Sequence, residues 1–233
     1  MYISISLLMA IAPSLVLVYY FYKQDKKKPE PKGLVTRIFF LGLLFTIPAI
    51  ILEVLFDEIF VFVMSATILY DLIKAFVIAG FIEEFIKLFV VKRFVYTHIH
   101  FDEVMDGIVY TIMASLGFAC MENLIYVIDG GLGIALVRAI TAVPMHAVAS
   151  GMMGYYIGKA KFSENTAKEK SLICKGLWFA VLIHGVYDFL LFASPRISLI
   201  LALGVFPLII VTFIRLKEKI KLAIAEDLHA GRH

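Results

Sequence analysis

The sequence predicts an all-α protein: a polytopic transmembrane helix bundle of about seven spans, with the N-terminus outside and the C-terminus inside. Three observations predict this class. Of the 233 residues, 61% are hydrophobic and 18% are charged, and the mean hydropathy is +0.92, which is far more apolar than a soluble domain. Apolar runs of about 20 residues, long enough to cross a hydrocarbon core of about 30 Å, recur along the chain. The basic residues collect in alternate loops.

The apolar runs follow one another with no loop long enough to form a separate domain, so we predict a single intramembrane domain over residues 1–233. The first run has no basic segment before it and continues past Ala10-Ile11-Ala12, which predicts an uncleaved span rather than a signal peptide. The predicted spans are roughly Ile3–Phe21, Val35–Leu55, Ile68–Val91, Val104–Ile128, Gly133–Gly158, Gly176–Ala193 and Ile197–Ile214. Residues 57–67 are expected to lie along the membrane interface or to extend the third helix.

The distribution of charge predicts the orientation of the bundle. Lysine and arginine are concentrated in the first, third and fifth loops and after the last span, at residues 23–32, 92–93, 159–175 and 215–221. Placing these segments in the cytosol leaves the even loops and the N-terminus outside. The formal net charge is only +3, and nothing in the pattern indicates a nucleic-acid partner. The expected surroundings of the protein are therefore the lipid bilayer.

The stretch Gly80–Lys87, GFIEEFIK, places two adjacent carboxylates inside an apolar helix. Ionisable groups at that depth are costly and are kept mostly where they have a function. Lys87 lies one turn after Glu83 on the same helix face, whereas Glu84 points about 100° away, so Lys87 is expected to neutralise Glu83 and Glu84 to face another partner. Two such carboxyl groups do not both ionise readily in a low dielectric, which favours acid/base chemistry over a structural ion pair.

Three later spans add ionisable or amide side chains to this set. They are Glu122 and Asn123 in the fourth span, Arg138 and His146 in the fifth, and His184 and Asp188 in the sixth. The i, i+4 spacing places His184 and Asp188 on one helix face, so Asp188 can accept a hydrogen bond that fixes the tautomer of His184. His146 has the alternative interpretation of a satisfied buried histidine. Arg138 is expected to be a counter-charge or to lie near the outer headgroups.

Several motifs of known proteases are missing. The chain has no His-Glu-x-x-His pair and no Gly-x-Ser-x-Gly nucleophile elbow. Cys120 lies in a predicted span and Cys174 in a predicted cytosolic loop, so no disulfide is expected. A site of carboxylates and histidines remains. The simplest reaction that it supports is attack of water on a carbonyl, with a Glu as general base and a His or Asn stabilising the oxyanion.

The order of these motifs on successive spans resembles the PrsW family, bacterial site-1 intramembrane proteases of the CPBP/Abi superfamily, which also includes the CAAX prenyl endopeptidases. The resemblance rests on Glu83-Glu84-x-x-Lys87, Phe118-x-x-x-Glu122-Asn123, His146 and His184-x-x-x-Asp188, within residues 68–193. It implies a multi-pass protein of the bacterial cell membrane. Its substrate would be a single-span anti-sigma factor, cut on its outer side to start release of an extracytoplasmic-function sigma factor.

The resemblance also implies roles for single residues in a glutamate-type mechanism. Glu83 or Glu84 would be the base, and His184 with Asp188 would match the closing His-x-x-x-Asn/Asp motif. The chain departs from the prenyl endopeptidases at Lys87, where they commonly have Arg, and at Glu122, where they commonly have His.

The departure at Glu122 leaves three candidates for the partner that activates water: Glu122 itself, His146 and His184. Lys87, Asn123 and Arg138 would support the site. No cofactor is predicted, but one set of side chains would also suit a divalent metal ion. That set is Glu83, Glu84, Glu122, His146 and His184.

Two alternative functions stay open at this stage. Buried Glu and His chains also build proton relays, which favours a proton-coupled transporter, although no repeated halves with interrupted helices are visible. A CAAX-type endopeptidase acting on prenylated proteins would use the same chemistry on another substrate. The predicted spans also contain a conflict. Glu122 lies near the outer end of its helix and Glu83 past the middle of its own, so they meet only if one helix is shifted.

Overall fold

The computed structural model describes residues 2–25, 28–64 and 67–232, and these residues form helices and connecting turns without a β-strand. The predicted all-α class is therefore confirmed. The helices are α1 (Tyr2–Tyr22), α2 (Lys32–Met64), α3 (Ile68–Ile73), a π-helix (Lys74–Phe81), α4 (Ile82–Phe94), α5 (Val104–Ile140), α6 (Ala142–Lys161), α7 (Thr166–Phe192), α8 (Ser194–Ile197), a 3-10 helix (Leu199–Gly204) and α9 (Val205–His229).

Five helical segments in the described part of the chain are long and apolar enough to cross a membrane. They are Lys32–Val61, Val104–Ile128, Gly130–Lys161, Thr166–Ile197 and Leu199–His229, and a shorter apolar helix covers Ser6–Tyr22. The chain is thus a multi-pass membrane protein, while the count of seven spans and the orientation of the termini stay predictions. The expectation that residues 57–67 extend the third helix is wrong for residues 57–64, which continue α2. They contain no Gly or Pro that would end that helix.

The third predicted span is built from three consecutive helices. Thr67 begins α3, because its side chain accepts a hydrogen bond from the backbone N–H of Tyr70. The backbone then widens into the π-helix Lys74–Phe81 and returns to α-helix at Ile82, directly before the two glutamates. Wide turns of this kind occur mostly at functional sites.

The fifth predicted span is not one straight helix. Gly131 has a φ of 65° inside α5, a left-handed conformation that favours glycine, and there the chain changes direction within the predicted Asp129–Gly131 loop. A second break lies at Thr141, and Pro144 follows in the first turn of α6, where its missing N–H costs no helical hydrogen bond. The break at Thr141 places Arg138 on α5 and His146 on α6.

Glycines bring the helices of the bundle together at two points. A Cβ atom on Gly107 of α5 would lie 2.5 Å from the carbonyl oxygen of Gly154 in α6, so only glycine allows this contact. In the π-helix, a Cβ atom on Gly80 would lie 3.4 Å from the backbone nitrogen of Gly185 in α7. This second contact holds the π-helix, which leads directly into the two glutamates of α4, against α7, which carries His184.

Candidate active site

The centre of the candidate site is the Lys87 ammonium group, which is fully buried. It donates to Glu83 Oε2 at 3.0 Å and to Glu84 Oε1 at 2.8 Å, and it lies 3.0 Å from His146 Nδ1. The expectation that Lys87 neutralises Glu83 alone is therefore wrong. The reason is helical geometry, because the residues three and four positions before Lys87 are both its neighbours on the helix surface.

Glu84 is held from three sides and is completely buried. Besides Lys87, it contacts His184 Nδ1 through Oε1 at 3.0 Å, and its Oε2 accepts a hydrogen bond from Ser150 Oγ at 2.8 Å. It therefore does face other partners, as the sequence predicts. With so many partners this carboxylate is fixed in place and orients the ring of His184.

His184 uses both ring nitrogens. While Nδ1 contacts Glu84, Nε2 lies 3.2 Å from Asp188 Oδ2, so the contact predicted from the i, i+4 spacing is confirmed. Glu83 Oε2 is 3.8 Å from the same Nε2, which is too long for a hydrogen bond but close enough for electrostatic interaction. One imidazole thus stands between three carboxylates.

His146 connects the two glutamate helices. Its Nε2 lies 2.7 Å from Glu122 Oε2, and its Nδ1 faces Lys87 and lies 3.9 Å from Glu83 Oε2. The rings of His146 and His184 are nearly perpendicular, with centroids 5.0 Å apart. The conflict between the predicted depths of Glu83 and Glu122 is thus resolved, because both reach the same imidazole.

Arg138 is a counter-charge of Glu122, which is one of its two predicted roles. Its Nη2 lies 3.4 Å from Glu122 Oε2, and its Nε donates to Asn123 Oδ1 at 2.7 Å. Asn123 is fully buried, and its Nδ2 donates to the Ala10 carbonyl at 3.3 Å. Since its amide is occupied in tying α1 to α5, Asn123 supports the site from behind.

A cavity of about 370 Å³ gives access to these groups. Its lining includes Glu83, Glu122, His146, His184 and Asp188, but not Glu84 or Lys87. The two glutamates that are adjacent in the sequence are therefore not equivalent.

At its other end the cavity is lined by Asp57 and Lys74, whose partly exposed side chains form an ion pair of 3.1 Å. The cavity thus extends from the buried polar groups to the region between α2 and the start of the π-helix.

Glu53 of α2 also lines the cavity, and sequence reasoning missed it. Its Oε1 atom is buried and has no hydrogen-bond partner among the described residues. The available signal was a lone carboxylate near the end of the second predicted span, where an ionisable residue is costly. It was overlooked because it belongs to no motif with a second polar residue.

The residues of the site fit a divalent metal ion. Glu83, His146 and His184 each offer a ligand atom, and these atoms lie within 4.8 Å of one another. Two histidines with one glutamate are a ligand set of catalytic zinc, and a carboxylate on the second nitrogen of a ligating histidine, as Glu84 is to His184, is the usual outer contact. Both ring nitrogens of His146 already have a partner, since Nδ1 faces Lys87 and Nε2 faces Glu122, so a bound metal would replace one of these contacts.

Charge counting also favours a divalent cation. With neutral histidines and ionised carboxyl groups, Glu83, Glu84, Glu122 and Asp188 carry four negative charges and their partners Lys87 and Arg138 carry two positive ones, which leaves −2 before the cavity-lining Glu53 is counted. Buried charge requires compensation, and one divalent ion would supply it.

Comparison with known proteins identifies relatives of the chain. Residues 30–214 match the model of the PrsW family intramembrane metalloproteases. The chain is 39% identical over 186 residues to Protease PrsW of Geobacillus kaustophilus, which covers 80% of this chain and 79% of that protein. It is 41% identical over 183 residues to Protease PrsW of Bacillus subtilis, with 78% and 81% covered. The corresponding protein of Clostridioides difficile is 32% identical over 198 residues, with 83% and 82% covered. No solved structure matches.

Proposed function

We propose that this chain, which belongs to the PrsW family of intramembrane metalloproteases, is a site-1 protease that cuts a membrane-anchored anti-sigma factor. The cut would lie on the outer side of the membrane and would start the release of an extracytoplasmic-function sigma factor. Family membership makes the chain a membrane protease, and it favours this function over the transporter alternative.

One observation carries the proposal: the convergence of carboxylates and imidazoles on a single cavity inside an apolar bundle. Glu83, Glu122, His146, His184 and Asp188 come from four helices and line the same space of about 370 Å³. A peptide bond that enters this space would leave the lipid and meet groups able to move protons. The end of the cavity at Asp57 and Lys74 belongs to a connection that the charge pattern places outside, which supports a cut on that side.

In the proposed mechanism, Glu83 is the general base. It is the member of the glutamate pair that lines the cavity, and Lys87 holds one of its oxygens. Glu83 accepts a proton from water as the water oxygen attacks the scissile carbonyl carbon. The same proton passes to the leaving amide nitrogen as the C–N bond breaks. Lys87 balances the charge of Glu83 throughout this transfer.

The remaining residues orient the reacting groups. Glu84 and Asp188 fix His184, and Glu122 with Arg138 fixes His146, so that both imidazoles stand at the cavity wall. An imidazole N–H there can donate to the oxyanion that develops on the carbonyl oxygen. A divalent metal ion held by His146, His184 and one oxygen of Glu83 would supply Lewis acidity that polarises the carbonyl or the water, and the other oxygen of Glu83 would accept the proton.

The test is cleavage of a tagged single-span anti-sigma protein co-expressed with the chain. We expect cleavage by the wild type and none by the Glu83→Gln/Glu84→Gln variant. The matched control is Glu58→Gln, because Glu58 is an exposed glutamate of α2, and this variant should cleave normally. A chelator added to membranes that contain the wild type should stop cleavage, and Zn²⁺ should restore it. Normal cleavage by the double variant would contradict the proposal.

A further inference from the structure

A second cluster of buried carboxylates lies at the N-terminal end of α5, away from the active site. Asp25 follows α1, Glu103 precedes α5, and Asp106 lies in the first turn of α5; their exposed fractions are 5%, 4% and 0%. Each offers an oxygen, and these oxygens lie within 4.8 Å of one another. Glu122 follows Asp106 by 16 residues, so the two clusters are roughly 24 Å apart along the helix axis.

Helix capping explains only part of this cluster. Asp106 Oδ2 accepts hydrogen bonds from the backbone N–H groups of Asp102 at 2.7 Å and Glu103 at 2.6 Å, as expected at a helix N-terminus. Its Oδ1 atom is buried and has no partner among the described residues, and the same holds for Asp25 Oδ2. Buried carboxylate oxygens without a donor are costly and rare, and each calls for a ligand.

Two basic side chains described at this end are already bound to other acids. Lys28 forms an ion pair with Asp102 at 2.6 Å, and Arg232 forms one with Asp227 at 3.0 Å. Asp227 has further donors, since it accepts from the backbone N–H groups of Val104 and Met105. It thus joins the end of α9 to the start of α5.

No ion pair within the described part of the chain reaches the cluster itself. Asp25, Glu103 and Asp106 form none, and neither does the buried Glu30, which accepts from the Tyr110 hydroxyl. Four buried carboxyl groups therefore have no cationic partner among the described residues.

We propose that Asp25, Glu103 and Asp106 bind a hard divalent cation of the Mg²⁺ and Ca²⁺ class. The donors are carboxylate oxygens without nitrogen or sulfur, which are the ligands that these ions prefer. The ion would give the two unpartnered oxygens a partner and neutralise like charges that crowd one another. It would also tie the connection after α1 to the start of α5. This site is independent of the proposed proteolytic function.

The test is thermal unfolding of the purified full-length protein in detergent, after removal of metals by a chelator. Saturating Mg²⁺ or Ca²⁺ should raise the midpoint by about 5 °C or more, because an ion that binds only the folded state stabilises it. The Asp25→Asn/Glu103→Gln variant should lose this shift. In metal-free buffer it should unfold no lower than the wild type, because it removes repulsion.

Two controls locate the effect. Asp102→Asn changes the carboxylate next to Glu103 that is paired with Lys28, and it should keep the shift. Glu83→Gln should keep it too, which excludes binding at the active site. A midpoint that no hard cation changes, or an equal shift in the Asp25→Asn/Glu103→Gln variant, would overturn the proposal. Stability that responds to pH but not to cations would indicate shared protons in place of an ion, and would also overturn it.

Discussion

The active-site cluster and the second cluster, at the start of α5, bury similar numbers of carboxylates but compensate them differently. In the active-site cluster, Glu84 has Lys87, His184 and Ser150 as partners, and Glu122 has His146 and Arg138. In the second cluster, Asp25 and Asp106 keep buried oxygens that have no hydrogen-bond partner among the described residues. The difference indicates how each cluster can work. Fixed cations and imidazoles hold the active site in one arrangement, whereas the second cluster depends on a cation from solution.

The same contrast exists within the glutamate pair. Glu84 is enclosed by partners on both oxygens and does not line the cavity, whereas Glu83 lines it and has one strong partner, Lys87. Residues next to each other in the sequence thus divide into one that orients and one that is accessible to water. The helix makes this division, because successive side chains point about 100° apart.

The largest effect is expected from removing the cation that holds the pair. Lys87→Met leaves two buried carboxylates without their shared partner, so the free energy of unfolding should fall by about 3–5 kcal/mol. Thermal unfolding of the purified protein measures this. Lys168→Met, at an exposed lysine, is the matched control and should change little. Equal midpoints for the two variants would show that Lys87 does not hold the site together.

The next largest effect concerns the approach of the π-helix to α7. A Cβ atom at Gly185 would lie 2.3 Å from the ring of Phe76, so Gly185→Ala should push the helices apart and separate His184 from Glu84. Misplacement of about 1 Å costs on the order of 100-fold in rate. Cleavage assays should show that loss, partial recovery in Gly185→Ala/Phe76→Leu, and no loss in Gly133→Ala, where a Cβ meets nothing within 4 Å. Full activity of Gly185→Ala would contradict the account.

Glu53 should show opposite effects on stability and activity. Its buried Oε1 has no partner, so Glu53→Leu removes an uncompensated polar group and should raise the unfolding midpoint. The same change removes an acceptor from the cavity wall, and the loss of one hydrogen bond to substrate should lower cleavage about 10-fold. Cleavage and unfolding measured on the same preparation test both parts. A drop in stability would mean that Glu53 has a structural partner.

The smallest effect is expected at the edge of the second cluster. Lys28 and Asp102 are 2.6 Å apart, but both side chains are 43% exposed, so water and salt screen the pair. Lys28→Ala should change the free energy of unfolding by about 1 kcal/mol or less. A much larger loss, measured by thermal unfolding, would mean that Lys28 also compensates the buried carboxylates, and the contrast between the two clusters would weaken.

Local spacing predicted much of the site from the sequence, since it is decided within single helices. The pairing of His184 with Asp188 and the position of Lys87 beside the glutamates follow from the helix period. Glu53 could not be placed, because its neighbours come from other helices. In the second cluster, Glu103 and Asp106 form a local capping box, but Asp25 comes from the segment after α1, so no local pattern brings it to them.

The sequence predicts the fold to about the same extent as it predicts the site. The apolar composition predicts the helical class, and the apolar runs predict the position of most spans, because the length of an apolar run is a property of the local sequence. The break at Thr141 and the π-helix before Glu83 depend on packing between helices. These are the features that bring the predicted side chains to one cavity.

The most direct test of the account compares the cleavage rate of Glu83→Gln with that of Glu58→Gln, using the tagged anti-sigma substrate and equal amounts of protease in the membrane. Glutamine keeps the shape of the side chain but cannot act as a general base. General acid–base catalysis typically raises the reaction rate about 10²–10⁴-fold. We predict a loss of at least about 100-fold for Glu83→Gln and wild-type cleavage for Glu58→Gln. Equal cleavage by both variants would contradict the assignment of Glu83 as the base.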